Sequence, residues 1–170
     1  MLANNETGLI HPIKTTTEIA HANNVPVMSD ITQAVGKVPV DVQDLGIDIA
    51  VFSSHKLYGP KGIGALYLNK NNSISIDKHL FGGDHEKGVR PGTLNVPGIV
   101  GFGEACSIAQ NNLEENRQKL VALQNQLEQE LLTIGEATIN CQNENCLPNT
   151  TNVSFNGVDG TKLLRYLNTM

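Results

Sequence analysis

Four consecutive polar residues, Ser53-Ser54-His55-Lys56, close an apolar run from Ile47 to Phe52. A run of that length suits a buried strand. Hydroxyls, an imidazole and an amine gathered where a strand stops can meet a ligand, because open α/β sheets bind at the carboxyl ends of their strands. A second short strand, predicted at Val25 to Ser29, delivers Asp30, with Gln33 about one turn further on. A desolvated lysine amine forms Schiff bases with carbonyls. In pyridoxal phosphate sites such a lysine is paired with an acid on the pyridinium nitrogen, and Lys56 and Asp30 are placed to fill those two roles. The acid keeps the ring nitrogen protonated, so the ring takes up the electrons released when a bond at a substrate's α carbon breaks. A solvated loop lysine and a helix-capping aspartate are the ordinary readings of such residues. The pairing of the two at successive strand ends argues against both.

Around this pair the chain alternates strand and helix. Met1 to Asn5 reads as the end of a strand whose beginning is missing, followed by the turn Glu6-Thr7-Gly8, and a truncated chain is therefore expected. Pro12 opens a predicted helix through Asn23 with Ile13, Ile19 and Ala20 facing inward. Gly36 to Leu45 reads as a loop, and Gly59-Pro60, Gly62 and Gly64 turn the chain from Lys56 into a further strand, Ala65 to Leu68. Asn69 to Ser75 is a polar surface turn, and Gly82 to Thr93, rich in glycine and charge, is a binding loop. From Val96 to Ile134 the pattern is helical, with Leu113, Leu120, Leu127 and Ile134 seven residues apart and Leu123 and Leu131 widening the stripe. A core-facing helix is expected there in preference to a coiled coil with a partner, ending at Gly135. Thr151 to Phe155 alternates like a strand, and Thr161 to Leu167 begins a helix.

The 170 residues are 39% hydrophobic and 17% charged, enough for a core of ordinary domain size. A net charge of -5 and the lack of any basic run argue against a nucleic-acid partner. No apolar stretch reaches the roughly 18 residues of a membrane helix, and no signal-like leader opens the chain, so no membrane partner and a cytoplasmic location are expected. Cys106, Cys141 and Cys146 form no framework, and Cys141-x4-Cys146 has no second pair nearby. Disulfide and zinc readings are disfavoured on that ground, leaving one core thiol and two loop thiols.

Four motifs in order, Asn4-Asn5-Glu6-Thr7-Gly8, Asp30-Ile31-Thr32-Gln33, Ser53-Ser54-His55-Lys56-Leu57-Tyr58-Gly59-Pro60-Lys61-Gly62 and His85-Glu86-Lys87-Gly88-Val89-Arg90-Pro91-Gly92-Thr93, span nearly the whole chain. Together they resemble the pyridoxal phosphate dependent cysteine desulfurases of the class V aminotransferase superfamily. The resemblance implies an α/β, fold-type I transferase with a mostly parallel sheet and an antiparallel member. Residues 1–110 would belong to the large cofactor-binding domain, and 111–170 to a connecting helix and the beginning of a small α+β domain. It implies Lys56 as the Schiff-base lysine, Asp30 on the pyridine nitrogen, Gln33 on the ring's phenolic oxygen and Asn5 on the ring or substrate carboxylate. Ser53 and His55 would contact the phosphate, and Ser54 would add local polar contacts. Thr93 would reach the phosphate of a neighbouring subunit's cofactor, which implies a homodimer.

The implied reaction converts L-cysteine to L-alanine and leaves the sulfur as a persulfide on an enzyme cysteine, for a sulfur-acceptor or iron-sulfur scaffold protein. A selenocysteine lyase, another enzyme of the superfamily, or a non-catalytic scaffold of the same fold are the alternatives; a scaffold needs neither Lys56 nor Asp30. Three positions depart from the family pattern. Ile31 stands where alanine is common, Pro91 where serine is, and Asp84 interrupts a glycine run. The family's nucleophilic cysteine lies beyond the segment resembling Asn152 to Leu167, and its glycine-rich phosphate cradle and ring-stacking aromatic lie upstream. These 170 residues alone are accordingly expected not to desulfurate cysteine.

Overall fold

A computed structural model describes residues 1–71, 74–142 and 145–169. The apolar run before Lys56 is the central strand of a three-stranded sheet: β1 (Met28–Asp30) lies parallel to β2 (Ile49–Ser53), and β3 (Gly64–Leu68) lies antiparallel on the other side. This is the mixed sheet that the family resemblance implies. The register sets Asp30 beside Val51 and Ser53 beside Gly64, so the acid stands next to the strand that carries the lysine. A central strand is covered on both faces, which is why its sequence is apolar without alternation. One face packs with Leu2, Ile13, Ile31, Ala34, Ile47 and Leu147 around Ala50. Phe52, two residues on from Ala50 and so on the same side of the strand, joins this packing to a second cluster, meeting Phe102 edge to face, centroids 5.3 Å apart, beside Leu57 and Ala105.

Helix α1 (Ile13–Ala22) docks in a different phase from the one its aliphatic residues suggest. Ile13 and Thr17 are its buried residues, while Ile19 is 63% exposed and Ala20 half-buried. The stripe runs 13, 17, 21 at intervals of four, and its second and third members dock by polar contacts. Thr17 Oγ1 lies 2.7 Å from the Leu45 carbonyl oxygen, and His21 Nε2 lies 2.8 Å from Oδ2 of the fully buried Asp48. The same Oδ2 accepts the Val27 N–H at 2.6 Å, which fixes the approach to β1.

The long helical pattern is two helices, α2 (Val96–Asn111) and α3 (Leu113–Thr133), separated where Asn112 leaves helical geometry at φ -104° and ψ 6°. The Asn95 side chain caps α2 by accepting the Gly98 N–H at 3.1 Å. The expectation of a core-facing leucine stripe on α3 fails. No residue of α3 is buried, and Leu123 (63%) and Leu127 (49%) are exposed. The helix rests instead on a face running through Leu120, Val121, Gln124, Glu128 and Leu131, all half-buried. Its anchors there are polar: Gln124 Nε2 donates to the carbonyls of Leu147 (3.1 Å) and Thr150 (2.7 Å), and Thr151 Oγ1 donates to Glu128 Oε1 at 3.0 Å.

Strands β4 (Ala137–Ile139) and β5 (Val153–Phe155) pair antiparallel after α3. Asp159 then caps α4 (Gly160–Leu167), accepting the N–H groups of Thr161 (2.9 Å) and Lys162 (3.2 Å). Between the two strands Cys141 and Cys146 are joined in a disulfide, which corrects the reading of two free loop thiols. Five residues apart, they are brought together because Cys146 is held from outside the loop. It bridges to Leu9, and the flanking Asn145 and Leu147 exchange backbone hydrogen bonds with Ile10 and Gly8. Cys106 is the free thiol among the described cysteines. It sits half-buried on α2 against Phe102 and its neighbours, and burial pushes its pKa up. Of the predicted polar turn from Asn69 to Ser75, residues 72 and 73 lie outside the described residues. Among the described residues no helix is long and apolar enough to cross a membrane.

Candidate active site

At the end of β2 the chain coils directly into a single 3-10 turn, Ser54–Leu57. Three residues per turn put positions three apart on one side. Ser54 and Leu57 are therefore the buried pair, and His55 and Lys56 face outward. Leu57 is 4% exposed and is gripped by Phe102 and Ala105, so α2 holds the turn from behind. Gly59 is required by this close approach: a Cβ there would overlap Ser54 Oγ and come within 3.0 Å of the Ala105 methyl. The turn closes with Tyr58 in the left-handed region at φ 65°, and the Gly59 N–H bonds to the Ser54 carbonyl at 3.1 Å.

A cleft of about 240 Å³ opens in front of this turn. It brings together Asn5, Asp30, Gln33, Ser53, His55 and Lys56, with Met1, Ala3 and Thr32 completing the wall. Asp30 comes from the end of β1, where Oδ1 accepts the Thr32 N–H at 2.8 Å and pins the carboxylate in a tight turn. The Leu2 N–H bonds to the Asp30 carbonyl at 2.8 Å, which sets the N-terminal segment beside β1 and carries Ala3 and Asn5 to the cleft. Asn4 builds the next turn through Oδ1, accepting the N–H groups of Glu6 and Thr7, each at 2.9 Å. The chain returns along Ile10, which bridges to Ala3.

Two predicted residues lie elsewhere. Ser54 is fully buried, and its Oγ, packed under Gly59, has no hydrogen-bond partner among the described residues. The turn's three-residue repeat sends that hydroxyl into the core instead of the cleft. Thr93 is exposed at the end of the 82–93 loop, outside the cleft lining, and its carbonyl accepts from Arg90 Nη1 at 3.3 Å. In that loop Glu86 and Lys87 both take left-handed backbone angles, which side chains seldom adopt outside functional segments. Ile31, 3% exposed, points into the core below the cleft, so its bulk does not crowd the space in front of Asp30.

Lys37 escaped the sequence reading. Its Nζ donates to the Gln33 carbonyl at 3.1 Å and to Gln33 Oε1 at 3.2 Å. Burial, and secondly the Lys56 ammonium nearby, pushes the Lys37 amine below the ordinary lysine range. The spacing of four residues from Gln33 is the one sequence signal that marks it.

The profile of the family described as Aminotransferase class-V matches residues 1–170. The cysteine desulfurase IscS of Salmonella arizonae is 44% identical over 167 residues, which are 98% of this chain and 41% of that protein. Among solved structures, a NifS-like protein of Rickettsia africae superimposes with a TM-score of 0.93 at 34% identity, over 99% of this chain and 46% of that one. A second NifS-like protein superimposes with a TM-score of 0.92 at 40% identity, again over 99% and 46%. The chain thus spans about two fifths of the length of the curated relatives it matches.

Proposed function

Since this chain belongs to the class-V aminotransferase family, we propose that it forms the lysine-bearing wall of a pyridoxal phosphate site in a cysteine desulfurase. The observation that carries the reading is the convergence of Lys56, Asp30 and Gln33 on one cleft from two neighbouring strand ends and the turn after β1. The 44% identity to proteins named cysteine desulfurase supports L-cysteine as substrate and, with it, a sulfur-acceptor or iron-sulfur scaffold protein as the partner that takes the sulfur.

The donor set fits the cofactor. An amine suits an aldehyde, a carboxylate with one oxygen free of the Thr32 N–H suits a protonated ring nitrogen, and a hydroxyl and an imidazole at a strand end suit a phosphate. When bound, pyridoxal phosphate supplies a ring that takes up the electrons released at the α carbon of an amino acid. Lys56 would hold the cofactor through its carbonyl carbon and, once displaced by a substrate amine, would be the base that moves protons at the substrate's α carbon. Asp30 keeps the proton on the ring nitrogen. Ser53 Oγ and the His55 ring would hold the phosphate, and Asn5 would hold the ring or the substrate's carboxylate.

Thr93, exposed and outside its own cleft, serves a second copy of the chain. On either side of its loop in sequence, exposed apolar residues offer surface for such burial: Phe81 is 88% exposed before it, and Val96 58% and Val100 67% after it. The decisive experiment takes the complete protein in which this sequence lies, loads it with cofactor, reduces it with borohydride and maps the labelled peptide. The adduct is expected on Lys56; the unreduced protein is expected to release alanine from L-cysteine, and sulfide when a thiol reductant is present, with adduct and turnover both lost in Lys56→Ala. Labelling of Lys61 instead, or no labelling, refutes the assignment.

A further inference from the structure

We propose that Lys37 is a positioning residue: by donating to both oxygens of Gln33 it fixes the Gln33 carboxamide so that its N–H end is the one offered to a molecule in the cleft. The inference rests on the reading of the cleft as a pyridoxal phosphate site and deepens it. A glutamine amide can turn over about its last torsion and present either an acceptor or a donor. A charged lysine amine has three donors and no acceptor, so a contact of 3.2 Å from Lys37 Nζ to Oε1 selects one of the two faces. The second contact, 3.1 Å to the carbonyl of the same residue, holds the amine at that place. Among the described residues Gln33 Nε2 has no acceptor, and Gln33 lines the cleft beside Asp30, His55 and Lys56. What remains available is therefore a donor, strengthened because its own oxygen already accepts from a cation. The matching chemistry is an electron-rich oxygen, and on pyridoxal phosphate that is the ring's phenolic oxygen.

Burial lowers the Lys37 amine pKa, so the group is partly desolvated and its charge is felt at the Lys56 side of the cleft. The titratable groups that share this space are Asp30, His55 and Lys56. Removing Lys37 takes away a cation near the bound chromophore and weakens the donor to its oxygen. Both effects favour the protonated chromophore.

The test uses purified protein carrying this sequence, loaded with pyridoxal phosphate, and follows the cofactor's visible band with pH and its affinity by titration. In Lys37→Met the pH midpoint of the band is expected to rise by roughly half to one unit, and in Lys37→Arg to stay near wild type. Lys37→Met is expected to weaken cofactor binding roughly 5- to 10-fold, but less than about 2-fold when Gln33 is already alanine. Equal weakening in both backgrounds overturns the proposal, since Lys37 would not then act through Gln33. So does an unchanged midpoint and affinity in a Lys37→Met protein that binds. Lys37→Gln gives the same comparison if the methionine variant does not fold. A wild-type protein that takes up no pyridoxal phosphate overturns the proposed function together with this inference, whereas uptake on Lys56 that ignores Lys37 overturns this inference alone.

Discussion

In the proposed site Asp30 would do two things in one place, and they can be separated by mutation. Its Oδ1 holds the turn through the Thr32 N–H at 2.8 Å, a contact that an asparagine side chain keeps, while only a carboxylate can hold the proton of a pyridinium nitrogen. Asp30→Asn is therefore expected to bind pyridoxal phosphate within a few-fold of wild type yet lose roughly 10²- to 10³-fold in cysteine turnover. Cofactor absorbance and alanine release measure the two quantities separately, and equal losses in both would remove the special role of the acid. That Asp30 and Lys56 reach one cleft was legible in the sequence because charged residues at or just past the end of a buried strand have few destinations. Ser54 was not. Its neighbours in sequence face the cleft, but a 3-10 turn returns every third side chain to the same side, and Leu57 pulls that side into the core. Lys37 was invisible for a related reason: its role depends on the curl of residues 31–38, where no periodic pattern exists.

The turn that presents Lys56 is held by contact with α2, and Gly59 lies in that contact, between Ser54 and Ala105. An added methyl would overlap Ser54 Oγ and press on Ala105, so Gly59→Ala must displace either the turn or the helix. Overpacking of this kind costs about 1–3 kcal/mol. The variant is expected to lose that much stability in urea unfolding and, because the turn carries His55 and Lys56, to retain cofactor less well; an unchanged unfolding midpoint would mean that the turn relaxes freely. Strands β2 and β3 were readable to within two residues, since a central strand must be apolar and glycines must mark the turn between antiparallel neighbours. The face of α3 was misread because leucines at seven-residue spacing fit a core stripe, whereas this helix docks through Gln124 and Glu128. The disulfide was misread because nothing local draws Cys141 toward Cys146; the pairing follows from the backbone of Gly8 to Ile10 lying across Asn145 to Leu147. Closing a loop this short is worth about 2 kcal/mol by chain entropy, so Cys141→Ser is expected to lower unfolding free energy by that amount under oxidising conditions and by nothing in a thiol reductant.

Assembly of the whole molecule decides whose site Thr93 serves. Within one chain Thr93 stands outside the cleft, on a loop with left-handed residues at Glu86 and Lys87 and exposed Phe81 nearby, an arrangement with little to stabilise it unless another surface covers it. In a two-fold dimer the loop of each chain would reach the other's cleft. Losing one hydrogen bond to a phosphate costs about 1.5–3 kcal/mol, so Thr93→Ala homodimers are expected to be largely empty at a cofactor concentration that still fills the wild type. Lys56→Ala homodimers are expected to be inactive at any cofactor concentration. If the two variants are unfolded together and refolded as a mixture, half of the dimers are hybrids. In a hybrid, one cleft combines the intact Lys56 of the first chain with the intact Thr93 of the second, and the other cleft carries both defects. Roughly a quarter of all clefts are then complete, and activity is expected to return to roughly a quarter of the wild-type level at limiting cofactor. If Thr93 acted on its own chain's cleft, every cleft in every hybrid would carry one defect, and mixing would restore nothing.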